Sequence, residues 1–165
     1  MHALNPRLIM ASISAFGQHG PLASLPGFDN IAQALSGATS MIGEADGPPA
    51  VTAFAIGDVG TGITALAAIS MALYARERDG QGRYLDVSLL DFYVNSHEIN
   101  IQVAALAGTA PARAGRHHPA VAPMGIYRAG EGFITLVVLT PMWPRLCTAM
   151  GLSLIHISEP TRPLS

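Results

Sequence analysis

At 165 residues the chain is long enough for one domain with a real core; half of it is hydrophobic and only 12% is charged. That balance predicts helices buried on most sides, or one part of a larger body whose interfaces stand open. A formal charge of −2, with nine scattered arginines and no lysine, excludes a nucleic-acid partner and lysine chemistry of the Schiff-base or P-loop kind.

The single cysteine, Cys147, cannot form an internal disulfide and fits a reducing compartment. The first residues, Met-His-Ala-Leu-Asn-Pro-Arg, lack a charged-then-apolar signal pattern. The longest charge-free helical stretch, 59–75, contains Gly60, Thr61, Gly62, Thr64 and Ser70 and falls short of the ~20 apolar residues of a membrane helix. A soluble cytoplasmic protein without a membrane partner is expected.

In chain order, 8–14 is an apolar run after Asn5-Pro6 and predicts a buried strand. The breaker cluster Gly17-Gln18-His19-Gly20-Pro21 ends it in a loop. A brief helix follows over 29–35, with Ile31, Ala34 and Leu35 on one face, then a punctuated turn over 44–49. The clearest element is a helix over about 59–78. Asp58 stands at its N-cap position, Arg76 and Arg78 in its last turn, and Gly80 and Gly82 stop it. It is apolar nearly all round, which predicts burial.

Leu85, Val87 and Leu89 then alternate with Tyr84, Asp86 and Ser88, the period of a strand. Ser88 and Asp91 match a capping box that opens a helix running to about Leu106. Strand, helix, strand, helix points to α/β architecture. Residues 108–123 read as a linker, 125–139 as a β-hairpin, and Trp143 starts a short helix.

Four motifs in order resemble the class III CoA-transferase family (CaiB/BaiF, formyl-CoA transferase-like), from about Asn5 to Gly151. They are Asn5-Pro6-Arg7-Leu8-Ile9 leading to 12–21; Pro26-Gly27-Phe28-Asp29 leading to 31–34; Gly57-Asp58 with Thr61-Gly62; and 75–91. The resemblance implies an α/β protein with a large Rossmann-like domain and a smaller one, forming interlocked homodimers. Such enzymes move CoA between carboxylates, with acyl-CoA and a carboxylic acid as substrates and no permanently bound cofactor. It further implies that Asp58 is the catalytic nucleophile and that Ser14, Ala15, Phe16 and Gly17 line the CoA site. Some relatives carry a lysine where Ser14 stands.

By its local pattern alone, Asp58 reads first as a plain helix N-cap beside glycines. The resemblance turns it into a nucleophile that forms a covalent aspartyl intermediate. A helix N-terminus favours the ionised carboxylate such chemistry needs, and Gly57, Gly60 and Gly62 would let a bulky substrate approach the backbone. Acyl-CoA racemases resemble the chain too, but place a catalytic His where Phe28 stands, and Phe28 cannot move a proton.

No metal site is expected. His117-His118 has no Cys or carboxylate at ligand spacing and reads as linker decoration, and His19 as a solvated loop residue. His97 and Glu98 read as mid-helix polar contacts, and Asp86 and Asp91 as structural.

The resemblance implies that a sizeable Rossmann-like portion precedes Asn5, so that 1–107 is the C-terminal part of the large domain and 124–151 the start of the small one. The resemblance ends near Gly151, and residues 152–165 read as the translation of a transposase-derived sequencing adapter in preference to a native strand with a polar tail. The isolated chain is therefore expected to be a fragment, inactive and poorly soluble by itself.

Overall fold

The structure, a computed structural model, describes residues 4–152; the expected adapter tail lies outside them apart from Leu152. The chain divides into two compact units, one ending at Arg113 and the other beginning at Ala114.

In the first unit, β1 (Ile9–Ser14) pairs in parallel with β2 (Arg83–Ser88), in register from Ile9 opposite Arg83 to Ser14 opposite Ser88. Between them run α1 (Asp29–Leu35), α2 (Ala38–Met41) and the long α3 (Ile56–Asp79); α4 (Leu89–Ser96) and α5 (Asn100–Ala107) follow β2. This is the α/β arrangement predicted. Gly82 joins helix to strand where a Cβ would strike the Leu8 carbonyl, so the close approach requires glycine.

The core is small. Ala15, Ala32, Leu89 and Tyr93 are buried together, with Phe16, Ala38, Ile56 and Phe92 packed around them. Gly27 lies against it because a Cβ there would come within 2.6 Å of Ala15 and 2.8 Å of Phe16. The 14–17 loop and the start of α1 are thereby packed on each other.

Several expectations are corrected. The buried face of α1 holds Asp29, Ala32 and Gln33, while Ile31 and Leu35 are exposed, the reverse of the predicted face. The inward positions serve a polar network described below. β1 is only partly buried, since it has one partner strand among the described residues and Ile13 stays open to solvent. Helix α3 begins three residues earlier than predicted and buries only Gly57, Thr61, Ala65 and Ala72, a stripe of small residues facing its neighbours. Val59, Ile63, Leu66, Met71 and Tyr74 are each more than 60% exposed. Faces left open, not burial on all sides, is what α3 presents. Its 24 residues are long and apolar enough to cross a membrane by length and composition. In this fold the helix packs against α1, α4, β1 and β2.

The predicted helix over 88–106 is two helices. Ser88 caps the first as expected, its Oγ accepting from the Asp91 N–H at 3.0 Å and donating to the Asp91 carboxylate at 2.7 Å. The break falls at Glu98, whose φ of 53° no α-helix tolerates. Just before it, His97 is buried, with its Nε2 2.9 Å from the Ser36 carbonyl; a carbonyl only accepts, so Nε2 carries the proton.

In the second unit β3 (Met124–Ala129) and β4 (Gly132–Val137) form the predicted antiparallel hairpin around Gly130 and Glu131, followed by α6 (Trp143–Ala149). His117 bridges Gly125 and its ring lies 4.9 Å from that of Tyr127, so part of the expected linker is ordered onto the hairpin. Cys147 is buried and free.

Candidate active site

Asp58 does not cap α3. The cap position is Ala55, which has no side chain to accept a hydrogen bond, and Asp58 is the third residue of the first turn. A helix without a capping side chain leaves its first N–H groups to be satisfied from elsewhere. Asp29 of α1 supplies the acceptor. Its Oδ2 accepts from the Gly57 N–H at 3.0 Å and from the Asp58 N–H at 3.3 Å. The Ile56 N–H is taken by the Phe54 carbonyl at 2.9 Å. The first three donors of the helix are thus all engaged.

A buried polar network holds Asp29 in place. The Tyr93 hydroxyl of α4 donates to Asp29 Oδ1 and accepts from the Gly57 N–H at 3.1 Å and from Gln33 Nε2 at 3.3 Å. Gln33, only 1% exposed, also donates to Thr52 Oγ1 at 3.0 Å, while its Oε1 accepts from Thr39 Oγ1 and the Thr52 N–H. The network therefore fixes the 52–55 segment that leads into α3. Burial first, and then the bond to Asp29, push the Tyr93 phenol up to about 12, so it remains a donor at neutral pH.

With the backbone donors occupied, the Asp58 carboxylate is exposed and makes no hydrogen bond among the described residues. It borders an open cleft of about 270 Å³ together with Asp29, Asn30, Thr52, Phe54 and Ala55. An unengaged carboxylate at the mouth of a cleft can act as a nucleophile toward an electrophilic carbonyl.

The glycines around Asp58 do different work from that expected. A Cβ on Gly57 would lie 2.5 Å from the Tyr93 ring and 2.6 Å from Asp29 Oδ1, and one on Gly60 would overlap the Phe92 ring. These two glycines admit the aromatic pair of α4, whose rings meet edge to face at 5.7 Å, rather than a ligand. Of these three glycines, Gly62 alone, one turn beyond Asp58 on the same face, would hold a Cβ with nothing within 4 Å.

The second predicted group lies at the end of β1. Ser14 Oγ accepts from the Gly17 N–H at 3.0 Å, leaving its own proton to donate. Gly17 has φ 85°, and beyond it the Gln18 N–H is held by Asp86 Oδ2 at 2.8 Å. Asp86 is thus structural as predicted. Ala15 belongs to the core and its carbonyl accepts from the Leu90 N–H, while Phe16 is half-buried beside it. No hydrogen bond joins this loop to the Asp58 side chain among the described residues; Tyr93, packed with Ala15 and bonded to the Gly57 N–H, is the physical link.

No cluster of three or more His, Cys, Asp or Glu side chains suited to a metal occurs among the described residues. Sequence reasoning missed Asp29, Gln33 and Tyr93. The usable signal was Ala55: a long helix starting beside a residue that cannot cap it needs an acceptor from another element.

The sequence model of CoA-transferase family III matches residues 1–161, and the chain belongs to that family. It is 36% identical over 160 residues to a succinate–glutarate CoA-transferase of Agrobacterium fabrum, covering 96% of this chain and 40% of the relative. It is 39% identical over 150 residues to an acetyl-CoA:oxalate CoA-transferase of Acetobacter aceti, covering 90% of this chain and 39% of the relative. Among solved structures, a CaiB/BaiF family protein from Brucella suis superposes with a TM-score of 0.79 at 30% identity, over 96% of this chain and 42% of the other. The chain spans about 40% of the length of the curated relatives it matches.

Proposed function

We propose that the full-length protein carrying this chain transfers CoA between an acyl-CoA and a carboxylic acid through a covalent intermediate on Asp58. The observation that carries this reading is the free Asp58 carboxylate at the cleft, with the helix donors around it already engaged by Asp29.

An Asp58 oxygen attacks the thioester carbonyl carbon, the C–S bond breaks, and CoA leaves as a thiolate from an acyl-aspartyl anhydride. The thiolate attacks the aspartyl carbonyl, expelling the donor acid as a carboxylate and leaving an aspartyl-CoA thioester. The acceptor carboxylate attacks that thioester, forming a second anhydride and releasing the thiolate again. Attack of the thiolate on the acceptor's carbonyl gives the new acyl-CoA and restores the Asp58 carboxylate. Every step exchanges one acyl bond for another, so no oxidant, reductant or bound cofactor is consumed.

Ser14, Ala15, Phe16 and Gly17 are the proposed CoA-lining segment, with the Ser14 hydroxyl proton and the half-buried Phe16 ring as its available contacts. Racemisation at the α-carbon would need an acid or base at position 28. Phe28 is 78% exposed but has no group to move a proton, which supports transfer instead. The open apolar face of α3 supports a homodimeric assembly, and the lone free Cys147 supports a cytoplasmic location.

The test is to incubate the full-length protein with acetyl-CoA or succinyl-CoA and hydroxylamine, then map modified residues by mass spectrometry. A hydroxamate at Asp58, absent without donor, is expected. No adduct there with either donor, together with retained transfer in Asp58→Ala, would discard the reading.

A further inference from the structure

We propose that Asp29 is a positioning residue for Asp58, locked in its capping pose by the Tyr93 hydroxyl. This rests on reading Asp58 as the nucleophile. An aspartate on the first turn of a helix stands beside backbone N–H groups that have no intrahelical partner. Its carboxylate competes for the free backbone N–H groups there, and a side chain so engaged folds back on the helix end.

Here that competition is removed. Asp29, from 29 residues earlier in the chain, occupies the N–H groups of both Gly57 and Asp58 with a single oxygen. Its other oxygen is held by Tyr93, so the carboxylate cannot swing away. Gly57 is the residue that makes this possible, since any Cβ there would push against Tyr93 and Asp29 together. Asp29 is itself buried although it lines the same cleft as Asp58, so its place is set by the protein and not by solvent.

Two consequences follow. The Asp58 backbone is pinned from α1 and α4 at once, which restricts the directions its short side chain can take. With the Gly57 and Asp58 N–H groups already taken, the Asp58 carboxylate has no donor there to fold back onto, and its side chain is exposed. Correct placement of a reacting group within about an ångström is worth up to about 10²-fold in rate.

The experiment uses the full-length protein in single-turnover acylation with succinyl-CoA, following adduct formation at Asp58 by hydroxylamine trapping. The amplitude counts folded sites and the rate constant reports positioning. For Asp29→Ala the rate constant is expected to fall about 10²-fold. Asp29→Asn, which keeps an acceptor oxygen, is expected to recover to within about 10-fold of the parent, and Tyr93→Phe to lie about 10-fold below it. If Asp29→Ala does not fold, the other two variants decide. A purely structural role would lower the amplitude and leave the rate constant alone. Tyr93→Phe and Asp29→Asn both reacting at the parental rate constant would overturn the proposal while the Asp58 reading stands. Absence of an Asp58 adduct in the parent protein would remove both.

Discussion

Asp29 on α1 and Asp58 on α3 meet through a single hydrogen bond, 3.3 Å from the Asp58 N–H to the Asp29 carboxylate, and it ties two acidic residues to one helix end. The arrangement divides the work of a helix N-terminus. One carboxylate satisfies the backbone, and the other is left facing the cleft.

That division predicts how Asp58 responds to substitution. Its side chain is exposed and makes no hydrogen bond among the described residues, so Asp58→Asn should change stability by no more than about 0.5 kcal/mol. CoA transfer by the full-length protein should nonetheless fall by at least about 10³-fold, since an amide is a poor nucleophile. Thermal melts beside a transfer assay check both halves. A stability loss matching the activity loss would assign Asp58 to structure.

The glycines on α3 should split into two kinds. Gly57→Ala places a methyl against two buried groups, Tyr93 and Asp29, and should destabilise by about 1–3 kcal/mol. Gly62→Ala meets open space in a helix interior and should stabilise by about 0.5–1 kcal/mol. Denaturant titration of each variant reads the two signs. If Gly62→Ala also raises KM for the acyl-CoA, the substrate passes over that turn.

Tyr93 makes the fold sensitive to alkali. The unfolded phenol ionises near 10.0, whereas in the fold burial and then Asp29 push it up to about 12. Between those values the unfolded chain has lost a proton that the folded chain keeps, so rising pH favours unfolding. The contribution is complete below pH 10 and is lost as pH climbs through about 12. Melting temperatures measured from pH 9 to 12 should drop more steeply for the parent than for Tyr93→Phe.

What the sequence discloses and what it hides follow one physical rule. Features decided within a few residues were legible: the alternation of 84–89 gives β2, Ser88 with Asp91 gives the α4 cap, and Gly130-Glu131 gives the hairpin turn. Features decided by distant partners were not. Asp58 has an ideal N-cap pattern, yet the acceptor comes from Asp29. Ile31 and Leu35 look like the inner face of α1, yet Gln33 turns inward because Thr39, Thr52 and Tyr93 satisfy its amide. The apolar girth of α3 implied burial, but composition does not say which faces this chain itself covers. Around Asp58, the start of a long helix was legible, and the residues that hold that helix end, Asp29 and Tyr93, were not.

The break at Glu98 gives a prediction whose sign is decisive. If 88–106 were one continuous helix, as its sequence suggests, Glu98→Gly would cost about 1 kcal/mol, the usual penalty for glycine in a helix interior. With Glu98 at φ 53°, the side chain instead carries a left-handed strain of about 1–2 kcal/mol that glycine does not. Glycine's greater entropy in the unfolded chain offsets part of that gain. Glu98→Gly should therefore stabilise by about 0.5–1 kcal/mol, and Glu98→Ala should do little. The adjacent bond from His97 Nε2 to the Ser36 carbonyl ties the end of α4 to the end of α1 at the break. His97→Ala should accordingly weaken the fold, and the double variant with Glu98→Gly should depart from additivity by at least about 0.5 kcal/mol if the two residues act on one bend.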